Sequence, residues 1–300
     1  MNKLIVILGQ TASGKSALAV KLAQLILHGE IISADSRQVY KGLNVGSGKI
    51  TKKEMRGVPH HLLNVANPKR KFTVAQYQAL ALKAIKQIQT RGRLPFLVGG
   101  TGFYIQSIVD GIIFPEVPPS RALRARLEKK STAQLFAMLK KIDPARAQNI
   151  DPQNPRRLIR AIEIIKTTGK PVSKHDVLKR YSVLKRRVDI LQIGIKKSPD
   201  ELKKLIRLRL KRRTQKMIAE VKKLHANRLS WKRLEELGLE YRYVAQYLQQ
   251  KITYQEMMNN IQKESEKFSK RQMTWFKRDK RIHWIKTQKE AEKLVKAFLQ

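Results

Sequence analysis

Residues 4–16 constrain this chain more than any others. Leu4, Ile5, Val6, Ile7 and Leu8 form an unbroken apolar run, and Gly9, Gln10, Thr11, Ala12, Ser13, Gly14, Lys15 and Ser16 follow at once. The run has the length of a buried strand and the eight residues match G-x-x-x-x-G-K-[ST], so the spacing predicts a strand, a phosphate-holding turn and a helix in succession. Glycine at both ends of the turn lets the chain curl so that consecutive N–H groups converge on one anion. Lys15 adds a point charge, and a helix over about 16–27, with Leu18, Leu22 and Leu25 on one face, brings the positive end of its dipole to the same place. The Ser16 hydroxyl is placed to hold Mg²⁺. The motif implies a polyphosphate and leaves open which molecule carries it and which bond breaks.

Two more segments end at the same kind of edge. Ile31 to Ala34 reads as a short strand with Asp35 at its C-terminal end, followed by Ser36, Arg37 and Gln38. Open parallel sheets bind their ligands there. A carboxylate in that position can accept a proton or bind a metal, and it can equally be a turn or capping residue. Leu94 to Val98 is a further strand running into Gly99-Gly100-Thr101-Gly102, which brings Thr101 and its neighbouring amides to that edge.

The order of elements predicts the fold class. Thr73-x-x-Gln76 is a capping box opening a helix to about Thr90, and the strand after it completes the β-α-β alternation of a doubly wound parallel sheet. From Gly111 the character changes: 114–120 is a proline-rich turn, and helical patterns then dominate to about Val183. Val188 to Ile195 reads as a returning strand. We therefore expect a core discontinuous in sequence, residues 1–111 with 186–300, and a helical insertion over 112–185. Ser198-Pro199-Asp200-Glu201 opens a long amphipathic helix, and Thr253 to Glu256 and Thr287 to Glu290 repeat the capping signature for the last two helices.

Composition narrows the partners. The 300 residues carry 64 Lys and Arg against 23 Asp and Glu, a formal charge of +41 that attracts polyanions. A lysine-rich proteome would give the same excess, so charge alone does not select nucleic acid. No stretch approaches 18 apolar residues, so no membrane span is expected. The strand beginning at Leu4 leaves no room for a signal peptide, which points to a cytoplasmic protein. Cysteine is absent, which excludes disulfides, thiolate metal sites and iron–sulfur clusters. The pair His60-His61 has no partner at zinc spacing and is expected to be structural, near the crevice.

Taken together, GQTASGKS, ISADSRQVYKGLNVGSGK, VPHHLLNVANP, FTVAQY, LVGGTGFYIQSIVDG, DPQNPRRLIRAIEI and KRQMTWFKRD resemble the tRNA dimethylallyltransferase family, in order, from residue 4 to about 285. The resemblance implies an α/β fold: a P-loop NTPase-like doubly wound parallel sheet core with a helical insertion domain and a helical C-terminal part. It implies transfer of a dimethylallyl group from dimethylallyl diphosphate to N6 of adenosine at position 37, in tRNAs reading codons that begin with U, by a monomer using Mg²⁺ at Ser16. By this resemblance residues 9–16 hold the diphosphate, Lys15 supports its departure, and Asp35 takes the proton of N6. Thr101 meets the bridging oxygen or the adenine. Asp35, Ser36, Arg37, Gln38 and Thr101 would hold the extruded base.

The anticodon stem-loop contacts follow in part from spacing. Arg156, Arg157 and Arg160 lie on adjacent turns of one helix, suited to consecutive phosphates, and the resemblance places Arg156, Arg157, Leu158, Ile159 and Arg160 against the RNA. Arg124 falls where the family has an arginine near the reaction channel. In the helix from Tyr254, Ile261, Phe268 and Trp275 share a face expected to be core, while Lys263, Lys267, Lys270 and Arg271 are RNA candidates. The chain departs from the family at Ser47-Gly48-Lys49-Ile50, at Glu240 and between Met217 and Glu220, where a glycine-bearing loop is missing. Other readings stay open: a P-loop kinase acting on a small metabolite, a non-catalytic RNA-binding protein, and an adenylate isopentenyltransferase acting on free AMP.

Overall fold

The structure is a computed structural model that describes residues 2–26, 28–169 and 188–300. Those residues group into two compact units, one built from the chain up to 109 and from 188 onward, the other from 110–169.

The first unit is a mixed α/β body around a six-stranded, all-parallel sheet. Its strands are β1 (Lys3–Gly9), β2 (Gly29–Ala34), β3 (His60–His61), β4 (Leu94–Gly99), β5 (Asp189–Ile195) and β6 (Ile282–Ile285), in the order β3-β2-β4-β1-β5-β6. The helices before the insertion are α1 (Lys15–Leu25), α2 (Lys52–Met55), α3 (Val74–Thr90) and α4 (Gly102–Val109). The second unit holds α5 (Arg121–Glu128), α6 (Thr132–Ile142), α7 (Pro144–Ala147) and α8 (Pro155–Thr168). After β5 come α9 (Pro199–Ala226), α10 (Trp231–Glu236), α11 (Leu239–Leu248), α12 (Tyr254–Phe276) and, after β6, α13 (Gln288–Leu299). Among the described residues no helix is long and apolar enough to cross a membrane.

The apolar run of β1 is continuous because both sheet faces are covered. Leu4, Val6 and Leu8 join one core with Tyr77, Ile88, Tyr104, Met217, Tyr241 and Ile261. Ile5 and Ile7 join the other with Leu22, Phe96, Ile193, Ala291 and Val295. Each fully buried aliphatic side chain contributes roughly 1.5–3 kcal/mol, which anchors the central strand and the turn that leaves it. The caps expected at Thr73, Ser198, Thr253 and Thr287 all form: each side chain accepts from the backbone N–H three residues on. Sequence patterning missed β3 and β6, the two edge strands, because two and four residues are too few to show a period.

The second unit packs Leu123, Leu127, Leu135, Leu139, Leu158, Ile162 and Ile165 into its own core. The helical pattern expected to run to about Val183 continues into residues 170–187, which lie outside the described ones.

His60 and His61 pair with Ile31 and Ile32, opposite the middle of β2. The pair is therefore set back from the C-terminal edge of the sheet, which corrects its expected place near the crevice. His61 Nε2 lies 2.6 Å from Oε2 of the buried Glu30, which also receives Arg91 and Arg93. Burial opposes ionisation of Glu30, but His61, Arg91 and Arg93 together hold its carboxyl below the usual range.

Candidate active site

The turns after β1, β4 and β2 leave three neighbouring strands at one edge. In the first, Gly9 has φ 154° and a Cβ there would lie 3.2 Å from the Ile195 carbonyl oxygen, so the tight turn needs glycine. Ala12 adopts a left-handed φ of 61° and Gly14 one of 90°. Gly14 caps α1 without any side-chain hydrogen bond, so the first amides of that helix are left for a ligand. Ser16 is exposed at this end.

The structure divides the eight loop residues. Lys15 Nζ folds back to donate to the Gln10 carbonyl at 2.6 Å. Burial, and then Arg209, push its ammonium down to about 8, with Asp35 pulling the other way. The Gln10 side chain points away from the cradle, donating to the Ser269 carbonyl and hydroxyl at 3.1 and 2.9 Å. The Thr11 amide is occupied by Gln272 Oε1 at 2.7 Å, which corrects its expected place among the free phosphate donors. Ser13 Oγ is buried without a partner among the described residues.

Asp35 stands just past β2. Its Oδ1 accepts from the amides of Arg37 and Gln38 at 2.8 and 3.3 Å, the turn-forming role that the sequence left open. Both amides use one oxygen, so Oδ2 is left for chemistry. Thr101 Oγ1 accepts from the Ser36 amide at 3.0 Å and the Thr101 amide donates to the Ala34 carbonyl at 3.2 Å, so the turns after β2 and β4 are knitted together. Gln38 is held by Ser33 Oγ and by the Gly48 carbonyl.

Beside the phosphate turn lies a cavity of about 850 Å³, lined among others by Lys15, Ser16, Lys49, Arg209, Arg213 and Lys216. Three residues here escaped the sequence reading. Arg213 donates to the Gly46 carbonyl at 2.8 Å, and burial, then Arg209, push its guanidinium down to about 10. Glu220 accepts from the amides of Asn44, Val45 and Gly46 and from the Tyr241 hydroxyl, pinning the loop over the cavity. Arg209, Arg213 and Glu220 recur at helical spacing on α9, a face that could have been picked out by its period. Burial pushes Glu240, one of the departures from the family pattern, up from the usual carboxylate range, with Arg213 the main opposing charge.

In the second unit the RNA candidates separate. Arg156 and Arg157 are exposed on α8. Leu158 and Ile159 are core residues, 0% and 7% exposed, because α8 turns that face to Leu135 and Leu139; their side chains cannot be surface contacts. Arg124 and Arg160 are each 2.6 Å from the fully buried Glu163, so their guanidinium groups serve that carboxylate first. Burial opposes ionisation of Glu163, but Arg124, Arg160 and the Ser120 amide hold it down at about 2.

On α12, Lys270 and Arg271 are exposed as expected. Of the face expected to be core, Ile261 is fully buried and Trp275 packs half-buried against the same core, while Phe268 is half-buried outside it. The fully buried stripe is Met257, Ile261, Ser265, Ser269, Gln272 and Phe276: its apolar members join the core that covers β1, while Ser269 and Gln272 meet the glycine turns.

Comparison with known proteins accords with this geometry. The chain is 40% identical over 99% of its length, and 96% of the relative's, to a tRNA dimethylallyltransferase of Carboxydothermus hydrogenoformans. It is 41% identical to tRNA dimethylallyltransferase 1 of Syntrophus aciditrophicus, over 95% of this chain and 94% of that one. The full-length tRNA isopentenylpyrophosphate transferase of Bacillus halodurans superposes with a TM-score of 0.72 at 34% identity, covering 100% of this chain and 96% of the other. A eukaryotic dimethylallyltransferase crystallised acting on tRNA gives 0.76 at 26% identity, covering 92% and 70%. The model of the IPP transferase family matches residues 38–279, and with relatives this similar along nearly its whole length, the chain belongs to that family.

Proposed function

We propose that this protein transfers a dimethylallyl group from dimethylallyl diphosphate to N6 of adenosine at position 37, in tRNAs reading codons that begin with U, releasing diphosphate. The observation that carries the reading is the joining of three turns at one sheet edge: a phosphate cradle after β1, Thr101 after β4 and Asp35 after β2, the last two tied through Ser36.

The N6 lone pair attacks the allylic carbon, the carbon–oxygen bond breaks, and its electron pair leaves with the diphosphate. Amides at the start of α1, Lys15 and Arg213 face the oxygens on which charge grows, and they stabilise the transition state more than the ground state. Asp35 Oδ2 takes the N6 proton while Oδ1 stays bound to its turn. Thr101, held by Ser36, lies between the two substrates. A Ser16 hydroxyl beside a diphosphate suits Mg²⁺, which favours substrate phosphates over an all-protein cage, and no cage of three or more His, Cys, Asp or Glu occurs among the described residues. The ion would neutralise charge on the leaving group.

Arg156 and Arg157 on the second unit and, separately, Lys270 and Arg271 on the first are exposed cations suited to phosphates of the anticodon stem-loop, and the overall charge of +41 favours that partner. The protein acts as a monomer in the cytoplasm on this reading.

The test is transfer of label from dimethylallyl diphosphate, with Mg²⁺, to unmodified tRNA, to AMP or to no acceptor. Label in tRNA alone supports the proposal. Label in AMP alone selects the free-nucleotide activity, and consumption of ATP with a metabolite selects a kinase.

A further inference from the structure

One buried carboxamide spans the turn that would hold the diphosphate and the turn that carries Thr101. Gln272 is 6% exposed on α12. Its Oε1 accepts from the Thr11 amide at 2.7 Å, and its Nε2 donates to the Gly100 carbonyl at 2.8 Å. Accepting and donating from one planar head is what distinguishes a carboxamide from a carboxylate or an apolar side chain of the same size. The surroundings are shaped to it. A Cβ on Gly100 would come within 2.4 Å of Nε2, and one on Gly102 within 2.3 Å of the Trp275 ring, one turn further along the helix. Ser269, one turn earlier, receives Gln10 of the phosphate turn. Helix α12 therefore touches both turns through polar groups, where an apolar stripe would bury the same surface without needing hydrogen-bond partners.

We infer that Gln272 is a positioning residue for the transfer: it fixes the spacing between the diphosphate turn and the Thr101 turn, and so the gap between the allylic carbon and adenine N6. The inference rests on the activity proposed above. Reacting atoms must approach to about 3–3.5 Å, and a misplacement of about 1 Å can lower the rate about 10²-fold. Thr101 passes the same constraint to Ser36 and hence to the Asp35 turn.

The experiment compares the full-length wild type with Gln272→Leu and Gln272→Glu in single-turnover transfer at saturating tRNA and dimethylallyl diphosphate. Dissociation constants for tRNA and for inorganic diphosphate are measured alongside. Gln272→Leu is expected to slow the bound-state rate by about 10- to 100-fold, with both dissociation constants within about threefold of wild type. Gln272→Glu gives a signature that a merely structural role would not. Its ionised carboxylate can accept from Thr11 but cannot donate to Gly100, whereas the protonated acid does both. Its rate relative to wild type should therefore climb as pH falls, while that of Gln272→Leu stays flat. If Gln272→Leu does not fold, the pH profile of Gln272→Glu decides alone. Full-rate turnover by Gln272→Leu, or a pH-independent ratio for Gln272→Glu, overturns the inference. No transfer by the wild type overturns the proposed activity and this inference with it.

Discussion

Thr101 Oγ1 accepts a hydrogen bond from the Ser36 amide at 3.0 Å, joining the turn after β4 to the turn after β2 next to Asp35. The two strands are neighbours in register, with Ala34 opposite Gly99, so the contact follows from sheet order rather than from chance loop packing.

That contact leaves Asp35 with two separable duties. Asp35→Asn keeps an oxygen for the Arg37 and Gln38 amides but cannot take the proton of N6. Turnover is expected to fall by at least about 10²-fold, the scale for losing a positioned base, with tRNA affinity near wild type. Asp35→Ala removes both duties and should weaken tRNA binding as well. Equal kinetics for wild type and Asp35→Asn, measured with saturating substrates, would take the base role from this residue.

The titration of Lys15 sets a pH limit on donor capture. Burial and Arg209 hold its ammonium at about 8 against the pull of Asp35, so the free enzyme loses this charge as pH rises through that value. The kcat/KM for dimethylallyl diphosphate should decline above about pH 8, since this ratio reports groups of the free enzyme. Lys15→Arg should carry the decline to higher pH. A kcat/KM profile that stays level to pH 10 would argue against Lys15 meeting the diphosphate.

Adjacent residues on α8 should behave as different kinds of mutant. Arg157→Ala removes an exposed charge and should weaken tRNA binding while lowering its salt slope by about 1, with diphosphate affinity intact. Leu158→Ala opens the core and should cost about 2–5 kcal/mol of stability in urea unfolding, with no selective effect on the salt slope. Matching stability losses for the two would show that Arg157 is structural.

That contrast marks what the sequence could and could not reveal. The phosphate turn, Asp35 and Thr101 were legible because each ends an apolar run, and local patterning places such residues at the sheet edge. Leu158 and Ile159 lie inside an arginine-rich string that the resemblance assigns to RNA, although with Ile162 and Ile165 they recur at the helical spacing of a buried face. Glu220 bonds to Asn44, Val45 and Gly46, which are remote in sequence, so its helical spacing with Arg209 and Arg213 was the one local trace of it. The Gln272 contacts were hidden in a helix read for its aromatics. Short edge strands and long-range polar contacts need the tertiary structure.

Glu163 should make the second unit acid-sensitive in a defined window. Its folded carboxyl, held at about 2 chiefly by Arg124 and Arg160 against the effect of burial, lies below the ordinary value of 4.5. The stabilisation it gives is therefore complete above about pH 4.5 and is lost as pH falls through about 2. Glu163→Ala should cost about 2 kcal/mol at neutral pH, less than for a fully enclosed pair because both guanidinium groups keep about a third of their exposure. The deficit against wild type should shrink on acidification, read by urea unfolding at several pH values. A deficit unchanged down to pH 2 would mean that the loss is one of packing alone.

The central claim is that the cradle after β1 releases carbon rather than phosphorus. Dimethylallyl diphosphate labelled with oxygen-18 at the bridge between its first carbon and first phosphorus separates the two outcomes directly. With wild-type protein, Mg²⁺ and unmodified tRNA, the account predicts all of the label in released diphosphate and an unlabelled prenyl group on adenine N6. Label retained on a free isoprenoid alcohol, with phosphate passed to the acceptor, would contradict it.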